Sequence, residues 1–237
     1  MYVGNPTKSK KMKQYIPALA QSPLFRYIKP QEIEMLLGCL RPKIRHFNKN
    51  DNVLVEGKAL DRFGILLSGK LQIVQYDYFG NRTILSSLHP VQLFAEAFAY
   101  VDAKFPLTVE VCEKSTVLFL DSTKCARTCQ RRCLFHTEIA YNLLHILARK
   151  NVNLTQKIEC MSQRTTREKL LTFLSLQALA KGSNEFEIPY NRQELADYLG
   201  VDRSAMAAEI SKLRKEGKLE SKKNKFKLLK GRSSLEI

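Results

Sequence analysis

The chain is short of acids. It carries 23 Asp and Glu against 39 Lys and Arg, a formal net charge of +16. Such an imbalance points to a polyanionic partner. It also lacks long apolar runs: none reaches the roughly 18 residues of a membrane span. The basic start, MYVGNPTKSKKMK, is not followed by an apolar stretch of signal-peptide length. No membrane association is expected, and the chain is expected to stay in the cytoplasm. Histidine is scarce. His46, His89, His136 and His145 form no H-x-H pair, the clustering that a cupin-type metalloenzyme needs, and no enzymatic activity is expected. Repeats and low-complexity segments are also missing. In a reducing compartment the six cysteines (Cys39, Cys112, Cys125, Cys129, Cys133, Cys160) are expected to be reduced.

What remains is the composition of a folded protein, 44% hydrophobic and 26% charged. At 237 residues there is room for two domains with cores. The basic excess is concentrated near the C-terminus. Ser211 to Arg232 holds ten Lys and Arg against two acids, Glu216 and Glu220. A solvated basic tail gives the same count. The N-terminal lysines (Lys8, Lys10, Lys11, Lys13) read as a solubilising arm.

The segment NRQELADYLGVDRSAMAAEISKLRKEG, residues 191–217, has two helical faces. Leu195, Ala196 and Leu199 share one. Met206, Ile210 and Leu213 share the other. Gly200 can adopt the positive φ of a tight turn, and Asp202 can cap the second helix. An ordinary helical hairpin meets this pattern, and so does a helix-turn-helix, whose second helix lies in the DNA major groove.

Upstream, Pro30 suits a first helical turn, with Ile33, Leu36, Leu37 and Leu40 on one face. From 43 to about 121 short apolar or alternating runs are broken by glycines, the texture of an antiparallel barrel or jelly roll. Gly57, Gly69 and Gly80 are expected to mark turns, and Gly80-Asn81 a hairpin between Leu71–Tyr76 and Arg82–Ser87. Residues 135–160 read as one long helix. Its stripe is Ile139, Leu143, Ile146 and Leu147, extended by Leu154, Ile158 and Met161. The stripe can pair with its own copy or pack on its own barrel. Thr165 to Glu168 is a capping box opening a new helix. Beyond the helix-turn-helix, Lys218–Ser221 and Lys225–Leu229 read as a hairpin turning at Lys223-Asn224, Asn being tolerant of the left-handed region.

Helix, barrel, long helix and helix-turn-helix, in that order over about residues 18–230, resemble the Crp/Fnr family of bacterial transcription regulators. SPLF, VEGKALDRFGILLSGKLQIV, RTTREKLLTFL and the block 190–217 carry the likeness. The resemblance implies an α+β chain. An N-terminal cyclic-nucleotide-binding-like antiparallel β-roll (a double-stranded β-helix) would span 1–134. A dimerisation helix and hinge would follow at 135–163, and a winged helix-turn-helix at 164–237. It implies a homodimer through helix 135–160 on a partly palindromic double-stranded DNA operator, with half-sites about 34 Å apart. RNA polymerase is a further partner if the protein activates. A signal sensed in the barrel would shift the balance between two arrangements of the DNA-binding domains.

Two residues one turn apart, a Glu and an Arg, usually read bases in this family. Ser204 and Ala208 stand at those positions here. Arg203 is then the expected base reader, with a phosphate contact as its alternative, since Arg suits guanine O6 and N7. Ser204 supports it, and Ala207 or Ala208 can touch a thymine methyl. Arg192 and Gln193 match phosphate-holding positions; Lys212, Lys222 and Lys225 are further phosphate candidates, and Asp202 belongs to the same interface.

In the barrel, cyclic-nucleotide binders of the family carry Gly-Glu-Leu and, about ten residues on, Arg-Ser/Thr-Ala. LFAEAFAYVDAKFPLTVEV keeps Glu96 only. Ala95 replaces the Gly, and Phe105-Pro106 falls where the Arg belongs. A buried phosphate would lack its charge partner, so the effector is expected not to be cyclic AMP. Phe94, Glu96 and Phe105 are the candidate effector residues, the effector is unknown, and no cofactor is expected. Glu96 is otherwise a capping or surface residue. Lys104 is a weaker stand-in for the Arg. KCARTCQRRCLFH places Cys125, Cys129, Cys133 and His136 at helical spacing. Three readings stay open for them: small core residues, a redox thiol switch favoured by Arg127, Arg131 and Arg132, or a metal or iron–sulfur site.

Overall fold

The computed structural model describes residues 12–40, 42–101, 103–127 and 134–229. Its contacts divide the chain into two compact units, 1–148 and 149–237, and the division falls inside the long helix.

The first unit opens with α1 (Ile16–Leu19), a 3-10 turn at Pro23–Phe25, and α2 (Pro30–Leu40). Ile33, Leu36, Leu37 and Leu40 are all buried, the face that their spacing predicts. Six antiparallel strands follow: β1 (Lys43–Phe47), β2 (Asn52–Leu54), β3 (Arg62–Tyr76), β4 (Arg82–Leu88), β5 (Leu93–Phe94) and β6 (Thr108–Asp121). They run in the order β1-β6-β3-β4, with β2 also on β6 and β5 also on β3. Side chains on a strand alternate between faces. Phe63, Ile65 and Leu67 of β3, with Leu118 and Leu120 of β6, join the core under the helices. Leu66, Leu71, Val117 and Phe119 join the barrel interior. Both faces of these two strands are covered, so they read as apolar runs rather than as alternation.

Gly80 does mark the hairpin, at φ 82°. Asp77 closes it, its carboxylate accepting from the Phe79 and Asn81 amides. Gly69 does not mark a turn. It lies inside the 15-residue β3, where the register with β6 slips on both sides of it. At φ 91°, a Cβ there would stand 2.2 Å from Ser115 Oγ and 2.6 Å from the Lys114 carbonyl. Its role is a bulge that brings two backbones together.

The helix α3 (Ser122–Ala126) ends the barrel, and α4 runs Leu134–Met161. The single stripe expected on α4 is divided. Ile139 and Leu143 are buried in the barrel unit's core, and Ile146 and Leu147 pack against it. Tyr141, Leu144, Val152, Leu154, Ile158 and Met161 stay exposed. No helix among the described residues is long and apolar enough to cross a membrane.

The second unit begins within α4 and continues with α5 (Thr166–Lys181), β7 (Glu185–Glu187), α6 (Arg192–Leu199), α7 (Arg203–Lys215), β8 (Leu219–Lys222) and β9 (Lys225–Leu228). Thr165 and Glu168 form the expected capping box. The hairpin β8–β9 is completed by β7, giving the order β7-β9-β8. The third strand is a feature that three residues, EFE, are too short to announce.

Candidate nucleic-acid interface

The helix-turn-helix is built by local rules. Asn191 caps α6, accepting from the Gln193 and Glu194 amides while Glu194 reaches back to the Asn191 amide. Gly200 ends it at φ 60°. Asp202 caps α7, accepting from the Ser204 and Ala205 amides at 2.8 and 2.9 Å and from the Ser204 hydroxyl. These bonds hold its carboxyl below the usual range. Leu195, Ala196, Leu199, Met206, Ile210 and Leu213 are all buried. The end of α4 belongs to this core: Cys160 is buried in it. Lys157 Nζ lies 5.5 Å from the centre of the Tyr198 ring, itself stacked on Tyr190.

The outer face of α7 is left with Arg203, Ser204, Ala205, Ala207, Ala208 and Ser211 exposed. Arg203, at the first helical position, makes no hydrogen bond or ion pair among the described residues. Ser204 is less free than its position promises, because its hydroxyl donates to Asp202. Gln193 Nε2 donates to Asp197 Oδ1 at 2.8 Å. Lys212, 63% exposed, lies 2.7 Å from Glu209. At the far end of α7, Arg167 donates to both carboxylate oxygens of Glu216, and Lys218 joins at 3.1 Å. Those cations, hydrogen-bonded to Glu216, pull its carboxyl down to about 2.

At the wing, Lys222 and Lys225 pair across the turn and both are exposed. The left-handed residue is Lys223, at φ 54°, not Asn224. Asn224 instead donates its side-chain amide to Glu187 Oε1 and the Ile188 carbonyl, tying the wing tip to β7. Lys223 is thus a third exposed lysine at the tip, which sequence reasoning passed over while assigning the turn to its neighbour. Arg192 differs from its expected place. Its guanidinium lies 4.7 Å over the Phe226 ring, with Nη1 buried and without a hydrogen-bond partner.

Two family models match this chain: the cyclic nucleotide-binding domain over residues 44–132 and the Crp-like helix-turn-helix domain over 168–233. The chain belongs to the Crp/Fnr family of transcriptional regulators. Family membership makes it a DNA-binding transcription regulator with a sensor domain. Among solved structures it is similar to CprK complexed with OCPA, at 16% identity and TM-score 0.53, over 93% of this chain and 92% of that one. Catabolite Activator Protein of Thermus thermophilus is 20% identical, over 87% of this chain and 93% of that one, with a TM-score of 0.48. DNR of Pseudomonas aeruginosa is 21% identical, over 90% and 93%, with a TM-score of 0.46. At 16% identity, the likeness to CprK speaks for the fold alone. No curated protein matches by sequence.

Of the candidate effector residues, two are aromatic and one is an acid. Phe94 and Phe105 are buried in the barrel interior, and Phe105 meets Phe98 edge-on at 5.2 Å. The Phe105 backbone is pinned to the loop at Gly57 and Lys58. Lys104 is exposed. Glu96 is not a surface residue: it is 3% exposed. Ala95 holds φ 61°, so the chain keeps the left-handed turn while losing its glycine. A non-Gly residue there costs roughly 1–2 kcal/mol. Ala95→Gly should relieve this, less about 0.5 kcal/mol of unfolded-chain entropy. The sensor unit's unfolding midpoint in urea should rise; a fall would show the turn to be unstrained.

Of the cysteine constellation, Cys129 and Cys133 lie outside the described residues. Cys125 is fully buried, and burial, with Asp121 nearby, pushes its thiol up to about 12. That reverses the expected thiolate-favouring effect of the neighbouring arginines at Cys125. His136 is buried too, and desolvation lowers its pKa, favouring the neutral ring. The four described cysteines, Cys39, Cys112, Cys125 and Cys160, are free thiols.

Proposed function

We propose that this regulator binds a two-fold-related operator as a homodimer, paired through the exposed face of α4, under control of a small molecule other than cyclic AMP. The observation that carries the reading is the outer face of α7. Arg203 is its one exposed long side chain over the first two turns, and it is uncommitted. It reads a guanine; Ala207 and Ala208 meet thymine methyls. Lys222, Lys223 and Lys225 at the wing tip hold phosphate and set register. Two-fold symmetry places the half-sites about 34 Å apart.

Against cyclic AMP stands the aromatic packing at Phe105, which occupies with a ring the place where a cyclic phosphate needs a cation. A thiolate-based signal at Cys125 is disfavoured by its buried, protonated thiol.

The experiment is operator selection from randomised DNA, followed by titration with variants. Arg203→Ala should cost ~1–3 kcal/mol on the selected site and relax one base position. Lys225→Ala should weaken selected and random DNA alike and flatten the salt slope by about one unit per protomer. An unchanged ratio of specific to non-specific binding in Arg203→Ala would refute the base-reading role.

A further inference from the structure

The resemblance puts Arg192, the first residue of α6, among phosphate contacts. The structure engages it elsewhere. Its guanidinium lies 4.7 Å above the face of Phe226, the arrangement in which a cation is drawn to a ring quadrupole. Phe226 is 1% exposed and stacks on Phe186 across the β7–β9 pair, with centroids 6.5 Å apart. Arg192 Nη1 is closed off from solvent, so no phosphate can reach that atom. Burial disfavours its charge, and the cation of Arg214 on α7 disfavours it further.

Phe226 sits between Lys225 and Lys227. Alternation on β9 sends the phenyl ring inward and both lysines outward. The stack therefore joins two DNA-facing pieces, the first turn of α6 and the wing strand, at a point behind the lysine they share the work with. Asn224 secures the same wing from the other side, through Glu187 and Ile188.

We propose that Arg192 is a positioning residue of the DNA interface: stacked on Phe226, it sets the wing against the start of α6 so that Lys225 meets its phosphate. This rests on the DNA-binding reading above. Arg192 then contributes to affinity through Lys225, not through a phosphate of its own.

The two roles separate in a salt-titrated binding series on the selected operator. Arg192→Met removes the charge and keeps an apolar chain that can pack on the ring. Its affinity should stay within about twofold, since sulfur–ring contact replaces the stack, and its salt slope should match the wild type. Arg192→Ala removes the packing and should bind about three- to tenfold more weakly. That loss should vanish when Lys225→Ala is already present, because the two act as one unit. A slope flattened by ~0.9 per protomer in Arg192→Met would make Arg192 a direct phosphate contact and overturn the proposal. Additive losses in the double variant would overturn it as well. Salt-insensitive binding by the wild-type protein would overturn this proposal together with the DNA-binding reading beneath it.

Discussion

Leu144→Glu combined with Ile158→Glu should turn a dimer into monomers and lower operator affinity by about 10²–10⁴-fold. Both side chains are largely exposed, 65% and 67%. They lie 14 positions apart, about four helical turns, and so on nearly the same face of α4. Two large aliphatic residues in water on one face, with Tyr141 and Val152 also exposed, suit burial against a second copy. Glutamates there leave the fold nearly untouched, because exposed substitutions away from special contacts are worth about ±0.5 kcal/mol. Placed at a two-fold interface, each faces its own like-charged copy or another buried apolar side chain, and a buried unpaired charge is not tolerated. Binding then loses its second half-site, which is where the large factor comes from. Light scattering measures the mass, and anisotropy measures the affinity. A variant that stays dimeric would move the interface elsewhere.

The second large effect is structural. Phe173→Ala should cost about 3–5 kcal/mol, a large share of the roughly 5–15 kcal/mol that holds a domain. Phe173 is 2% exposed and anchors α5 to the helix-turn-helix. Its ring lies 5.4 Å from Tyr198 and 6.1 Å from Tyr190, and those two stack at 5.2 Å. Truncation leaves a cavity under α6, among residues that also hold Leu195, Leu199 and the buried Cys160. The loss falls in the second compact unit and not in the barrel. Calorimetry should show one transition moved down by about 12 °C or more, at roughly 4 °C per kcal/mol, with the sensor transition in place. A common shift of both transitions would show that the units unfold as one.

These effects rest on features of very different legibility. Two caps were readable because they are local: Thr165 with Glu168, and Asp202, each work within three residues. The box of Asn191 with Glu194 is equally local, and the sequence reading passed over it. The buried faces of α2, α6 and α7 followed from helical spacing for the same reason. Gly69 misled, because a glycine in a strand resembles a glycine in a turn until its contact with Ser115, 46 positions on, is known. The length of β6 was hidden in the same way. Its pairing with β3 is long-range.

In the interface, Arg203 was singled out through the family resemblance, and Lys222 and Lys225 through the hairpin pattern and the charge. The commitments of their neighbours were not legible in this way. Ser204 is held by Asp202, Lys212 by Glu209, and Arg192 lies over Phe226, 34 positions later. A sequence announces which side chains carry charge, but which charges are already engaged is decided by tertiary packing. Lys223 shows the reverse case. It takes the left-handed place that residue preference assigned to Asn224, because Asn224 is worth more as a double donor to β7.

On the function proposed above, this chain reads a specific DNA sequence with the outer face of α7 while its lysines hold the backbone. That function is tested most directly by anisotropy titration of the wild-type protein on its selected operator and on random DNA, across a series of salt concentrations. Affinity should fall steeply with salt on both DNAs, with a preference for the operator of about 10³-fold or more. Equal affinity for the two DNAs, or affinity indifferent to salt, would contradict it.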